Sequence, residues 1–144
     1  MKEEKVNLVW FFLFVVIIIL LSLKTHAHGT IIVSGVEHNE GFIDVKIYID
    51  KKSFLNEEMA AETIRKRASK GKTVIPLSRL HKGTIAVVTY HDEDGNGELK
   101  TGLFWRPKEG FAFSNDYTPK GRPKFKKAAI ELVHGEPVNI ELNY

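Results

Sequence analysis

Ile43-Asp44-Val45-Lys46-Ile47-Tyr48-Ile49-Asp50 decides the fold class. Apolar and polar residues alternate through it without a break. A period of two places Ile43, Val45, Ile47 and Ile49 on one face of an extended strand. The reading is a half-buried strand with one wet face.

The neighbouring stretches extend that reading. Residues 30–36 are β-branched and apolar, and Gly35 marks a bulge or bend in a strand. Residues 37–41 are polar and end in glycine, which suits a hairpin connection. On the other side, Leu55, Met59, Ala60, Ile64 and Ala68 roughly follow helical spacing. The spacing predicts a short helix or helical loop near 55–70, capped by Ser53 or Asn56, with Glu57 and Glu58 in its first turn and Gly71 ending it. Arg65, Lys66, Arg67, Lys70 and Lys72 make this stretch basic. Such a run serves as a solvated face or as a contact for an anionic surface.

Pro76 restricts residues 73–77 to an edge strand. Thr84-Ile85-Ala86-Val87-Val88-Thr89-Tyr90 is apolar on both faces and reads as a central strand. A returning strand is expected at 102–105 and a long ordered loop at 106–127. A strand at 128–133, a turn at 134–137 and a half-wet strand from Val138 to Tyr144 complete the chain. The fold class is all-β: a seven-stranded antiparallel β-sandwich.

The N-terminus stands apart. A short charged start precedes residues 6–23, which are apolar except for Asn7 and Ser22, and Thr25-His26-Ala27 follows. Residues 1–27 fit a signal peptide cleaved after Ala27. The apolar run also just spans a bilayer, so an uncleaved membrane anchor is the alternative. Residues 28–144 then form a single β-sandwich domain, periplasmic or secreted. Removing 27 of the 144 residues leaves 117, enough for one core. The removed part carries three lysines and two glutamates, which leaves 18 basic and 16 acidic residues. A net charge of +2 argues against a nucleic-acid binder. With no cysteine, disulfides, thiolate metal sites and cysteine nucleophiles are excluded.

Tyr90-His91-Asp92-Glu93-Asp94-Gly95-Asn96-Gly97-Glu98 holds the densest chemistry. Asp92-x-Asp94-x-Asn96-Gly97 reproduces the opening of an EF-hand loop, whose alternating oxygens converge on a hard cation. The twelfth position is Leu103 rather than glutamate, and a strand precedes the loop. What remains is a weaker Ca2+ site from Asp92, Asp94, Asn96 and Glu98. A glycine-asparagine turn with solvated acids uses the same residues. His91 either orients a carboxylate or is a core histidine bonded to backbone. After cleavage, His28 would offer an amine and an imidazole to copper, with His38, His81, His91 or His134 completing the site. A hydrolase would use Ser114, Asp116 and a histidine, or His91 with Asp92 or Glu109, or, on glycosides, a carboxylate pair from Asp92, Asp94 or Glu109; no nucleophile elbow is present. Trp105, Phe111, Phe113 and Tyr117 near Lys108, Lys120 and Arg122 either form a sugar or polyanion surface or pin a loop to the sandwich.

Gly83-Thr84-Ile85-Ala86-Val87, Tyr90-His91-Asp92-Glu93-Asp94-Gly95-Asn96-Gly97-Glu98-Leu99 and Pro107-Lys108-Glu109-Gly110-Phe111-Ala112-Phe113-Ser114-Asn115 together resemble the bacterial family called domain of unknown function 2141. The resemblance implies an exported prealbumin-like or immunoglobulin-like sandwich, and it supplies no activity. Its patterned polar positions map to His91, Asp92, Asn96, Gly97, Glu109, Ser114 and Asn115. This chain departs from the pattern at Asp94, where asparagine is usual, and at Lys100, where aspartate is usual. Both changes shift any cation site. The candidate polar site is therefore His91, Asp92, Asp94, Asn96, Glu109, Ser114 and Asn115, with Glu109 and Asn115 tying the loops at 91–98 and 107–115 together. The expected role is a non-enzymatic binding or structural module of the envelope, its partner an envelope protein or polysaccharide. The alternatives are a calcium module, a hydrolase and a copper protein.

Overall fold

The computed structural model describes residues 29–99 and 109–144. Among these, eight strands form two sheets: β1 (Thr30–Val36), β2 (Phe42–Tyr48), β3 (Glu62–Arg67), β4 (Gly71–Pro76), β5 (Gly83–Asp92), β6 (Phe111–Phe113), β7 (Ala129–Leu132) and β8 (Pro137–Glu141). One sheet has the order β4-β1-β8. The other has the order β3-β2-β5-β6, with β7 also paired to β5. β7 meets residues 83–86 of β5 and β6 meets residues 88–90, so the two short strands share one edge.

The sandwich class stands, with eight strands rather than seven. All pairings are antiparallel except β1 with β8, which run parallel. The expected hairpin at 37–41 is instead a crossing between sheets, because β1 pairs with β4 and β8 while β2 pairs with β3 and β5. Gly35 does mark a bulge: the β1–β4 register shifts between Ser34 and Val36. β4 is an edge strand and β5 is central, as Pro76 and the apolar run at 84–90 require.

The helix expected near 55–70 shrinks to one 3-10 turn, Glu57–Met59, capped by Asn56, whose side chain accepts from the Glu58 N–H. β3 occupies the remainder. Gly71 opens β4 rather than ending a helix. Ile64 pairs with Val45 in register, so tertiary pairing overrides a weak helical spacing. The long loop at 106–127 contains β6 and leads into a one-turn helix, α1 (Phe125–Ala128). The returning strand at 102–105, with Trp105, lies outside the described residues, as does the apolar run at 6–23. No described helix is long and apolar enough to cross a membrane.

Ile43, Val45 and Ile47 meet Ile31, Val33, Ile75 and Ile140 between the sheets, and Ile85, Val87, Ala112 and Leu132 complete the core. The wet face expected on β2 is not wet. Asp44 is 4% exposed and Lys46 6%. The outer face of the five-stranded sheet carries its own cover, in which Tyr48, Phe113 and Ala128 pack with Phe54, Tyr117 and Phe125. The Phe54 ring stands edge-on to Tyr48 and to Phe125. The aromatics of 111–117 thus pin the loops to the sheet.

Candidate functional site

β5 runs to Asp92, and strand alternation sends its last two side chains in opposite directions. His91 continues the inner row of Ile85, Val87 and Thr89. Asp92 continues the outer row of Val88 and Tyr90. The two residues are adjacent in sequence but lie on different faces.

On the outer face, Asp92 is fully buried. Arg65 Nη2 donates to its Oδ2 at 2.5 Å and the Gly97 N–H to the same oxygen at 2.8 Å. The Asn96 N–H donates to Oδ1 at 3.1 Å. Arg65 Nη1 also donates to Asp44 Oδ2 at 2.7 Å. Register explains this fork: β2 pairs Asp44 with Arg65 on one side and Phe42 with Asp92 on the other. The guanidinium lies 4.2 Å from the Phe42 ring centroid, a cation–π contact that fixes its plane. Tyr90 Oη donates to the Gly97 carbonyl at 3.0 Å, so both peptide groups around Gly97 are held to the sheet. Gly97 itself has φ of +81°, open to glycine without strain.

Burial alone would raise the Asp92 pKa, but the Gly97 N–H, Arg65 and the Asn96 N–H outweigh it and hold the carboxyl below its ordinary value. Asp44 goes the other way. Its burial and the Asp92 charge outweigh its share of Arg65, so its pKa is raised.

Asp94 and Glu109 join Asp92. One carboxylate oxygen from each lies within 4.8 Å of the others. Glu109 arrives because the His91 N–H donates to the Gly110 carbonyl at 2.7 Å, extending the β5–β6 ladder toward the loop. Asp92 and Glu109 are buried while Asp94 is exposed. The loop is stiffened by two side-chain turns: Asp94 Oδ1 accepts from the Asn96 N–H at 3.3 Å, and Asn96 Oδ1 from the Glu98 N–H at 2.7 Å. The Asn96 side-chain oxygen is therefore already engaged, and Glu98 is exposed.

Ser114 and Asn115 sit elsewhere. Ser114 is buried, accepts from the Val87 N–H at 2.8 Å and donates to the Ala128 carbonyl at 2.5 Å. Asn115 has a φ of +62° and donates to the Lys127 carbonyl at 3.0 Å. Of the 107–115 segment, Glu109 alone among these three reaches the carboxylates; Ser114 and Asn115 hold α1 and β6 in place.

On the inner face, His91 is fully buried. Its Nε2 lies 2.7 Å from the Glu40 carbonyl and its Nδ1 2.7 Å from Tyr144 Oη. His38 packs against it with ring centroids 4.5 Å apart. The partners that sequence reading missed, Asp44, Arg65, Glu40 and Tyr144, come from four other stretches of the chain, while His38 is one of the histidines it named for a metal. Only Asp44 carried a local signal, as an acid inside an alternating strand.

The fold and this polar sheet end define a two-sheet β-sandwich with a carboxylate-rich rim. The family model described as an uncharacterised protein conserved in bacteria, domain of unknown function 2141, matches residues 31–141, and the chain belongs to that family. No curated protein and no solved structure matches it.

Proposed function

We propose that the chain is an exported, non-enzymatic module of the bacterial envelope, which meets its partner through the rim formed by the 92–98 loop and Glu109. The observation that carries this reading is how the groups suited to catalysis are used. Ser114 is tied to two backbone groups in the core. Both His91 nitrogens have partners, and the residue lies on the opposite face from Asp92. A general base needs a lone pair within reach of a substrate proton, and a nucleophile needs such a base. Here these side chains hold strands and turns together. The charged start, the apolar run at 6–23 and the Thr-His-Ala site support export.

The test is to fractionate bacterial cells producing the full chain and sequence the protein from its N-terminus. The expected outcome is recovery from the periplasm or medium with His28 first. A protein that stays in the cytoplasm overturns export, and recovery in the membrane with Met1 retained replaces cleavage with an anchor. A hydrolytic activity lost in Ser114→Ala with the fold kept would overturn the non-enzymatic reading.

The convergence of Asp92, Asp94 and Glu109 supports a second reading, in which the rim holds calcium. Calcium takes oxygen ligands and tolerates irregular geometry. Asp92 has little left to offer after its three hydrogen bonds, so Asp94 and Glu109 would carry most of the binding. Millimolar calcium is expected to raise the melting temperature by a few degrees and to do nothing in Asp94→Asn. Calorimetry showing no heat, with no melting shift, rejects this reading.

A further inference from the structure

We propose that His38 and His91, with Glu93 behind the His38 ring, form a binding site for a divalent transition-metal ion, zinc or copper(II), on the face of β5 opposite Asp92. One ligand atom from each of the three lies within 4.8 Å of the others. Their hydrogen bonds fix which imidazole nitrogens can bind. A carbonyl only accepts, so His91 Nε2 carries the proton shared with Glu40 O, and the lone pair sits on Nδ1. His38 Nε2 lies 3.2 Å from Glu93 Oε2, and the carboxylate accepts there too. His38 Nδ1 then holds the other lone pair. That atom is buried and has no hydrogen-bond partner. An unpaired buried acceptor is costly, and a metal ion would supply what the lone pair lacks.

The supports are those that orient metal-binding imidazoles: a backbone carbonyl behind one ring and a carboxylate behind the other. Two imidazole Nδ1 atoms make a nitrogen donor set. It suits zinc or copper(II) and is poor for calcium or magnesium. Tyr144 Oη donates to His91 Nδ1 and must give way. Tyr144 is half exposed, so its hydroxyl can swing outward without opening the core. The site shares no residue with the Asp92, Asp94 and Glu109 cluster and stands independently of the calcium reading.

The experiment uses the full chain in detergent, stripped with EDTA and dialysed, then titrated with zinc chloride by calorimetry and melted with and without the ion. Copper(II) in a parallel titration separates the two ions. The expected result is saturable binding of one ion per chain and a rise in melting temperature. Affinity is expected to fall at least tenfold in His38→Gln and in Glu93→Gln, and to be unchanged in Asp94→Asn. His38 is only partly buried, so its variant keeps the fold, which the circular dichroism of the metal-free protein checks. Binding of neither ion overturns the proposal, and so does binding of undiminished affinity in His38→Gln, which would place the ion on other histidines.

Discussion

Gly41→Ala is expected to destabilise the domain by about 4 kcal/mol or more, a large fraction of the roughly 5–15 kcal/mol that holds a domain of this size together. Gly41 ends the crossing from one sheet to the other and enters β2. Its φ is +70°, which alone costs an L-residue about 1–2 kcal/mol. The larger effect is steric. A Cβ on Gly41 would stand 2.0 Å from the Asp92 carbonyl oxygen, 2.8 Å from the Glu93 Cα and 2.9 Å from the Asp92 carbonyl carbon. All three are backbone atoms, so no side chain can rotate away. Either the end of β5 moves, which breaks the Phe42–Asp92 pairing and disturbs the carboxylate rim, or the crossing moves and loses the Ala68 N–H to Gly41 carbonyl bond of 3.3 Å. Gly135→Ala is the control. Its φ is +80°, and nothing lies within 4 Å of the added carbon. It should show the conformational effect alone. Urea unfolding of both variants measures the difference, and equal midpoints would refute the steric account.

The local features were legible because they are written in neighbouring residues. The alternation at 43–47, the apolar run at 84–90 and the Gly35 bulge each depend on a few positions in one strand, whereas Ile49 falls beyond the end of β2 and is exposed. Which sheet a strand joins does not. The polar residues 37–41 look the same whether they turn back on β1 or cross to the opposite sheet, and only the distant partners β4, β8, β3 and β5 decide. β3 was hidden because an edge strand needs few apolar residues: Glu62–Arg67 has Ile64 alone, and its neighbours Met59, Ala60 and Ala68 mimic a helical stripe. The site was legible in the same proportion. Asp92, Asp94 and Glu109 stand in or beside conspicuous loops. The divergence of His91 and Asp92 follows from continuing the strand's period of two beyond Tyr90. The Arg65 fork depends on the lateral register of three strands, which no single stretch records.

That fork gives the second large effect. Asp92→Asn keeps the shape of the side chain but cannot keep its bonds. The carboxylate accepts at both oxygens, from Arg65 and Gly97 on one and from Asn96 on the other. An amide has one accepting oxygen, so its NH2 must face a donor whichever way it is turned. Arg65 keeps Asp44 as a charged partner and loses the Asp92 charge. Breaking a buried ion pair by removing one partner costs about 3–5 kcal/mol, and about 3 is expected here because Arg65 is partly open to water. The pH dependence identifies the cause. Asp92 has a folded pKa below its unfolded value of 3.8. Its stabilisation is complete above the unfolded value and is lost as pH falls through the folded one. The stability gap between the two proteins should therefore be nearly level from pH 7 to about 5 and should close below about 4. Asp44 acts with the opposite sign. Its raised pKa means that ionisation destabilises the fold, a penalty present above the folded pKa and relieved as pH falls toward the unfolded one. In Asp92→Asn the repelling charge is gone and Arg65 is undivided, so the Asp44 pKa should drop and that relief should shrink. Urea melts from pH 3 to pH 7 on both proteins read both effects. A gap that persists undiminished at pH 3 would assign the loss to packing in the 92–98 loop instead of to the Arg65 ion pair.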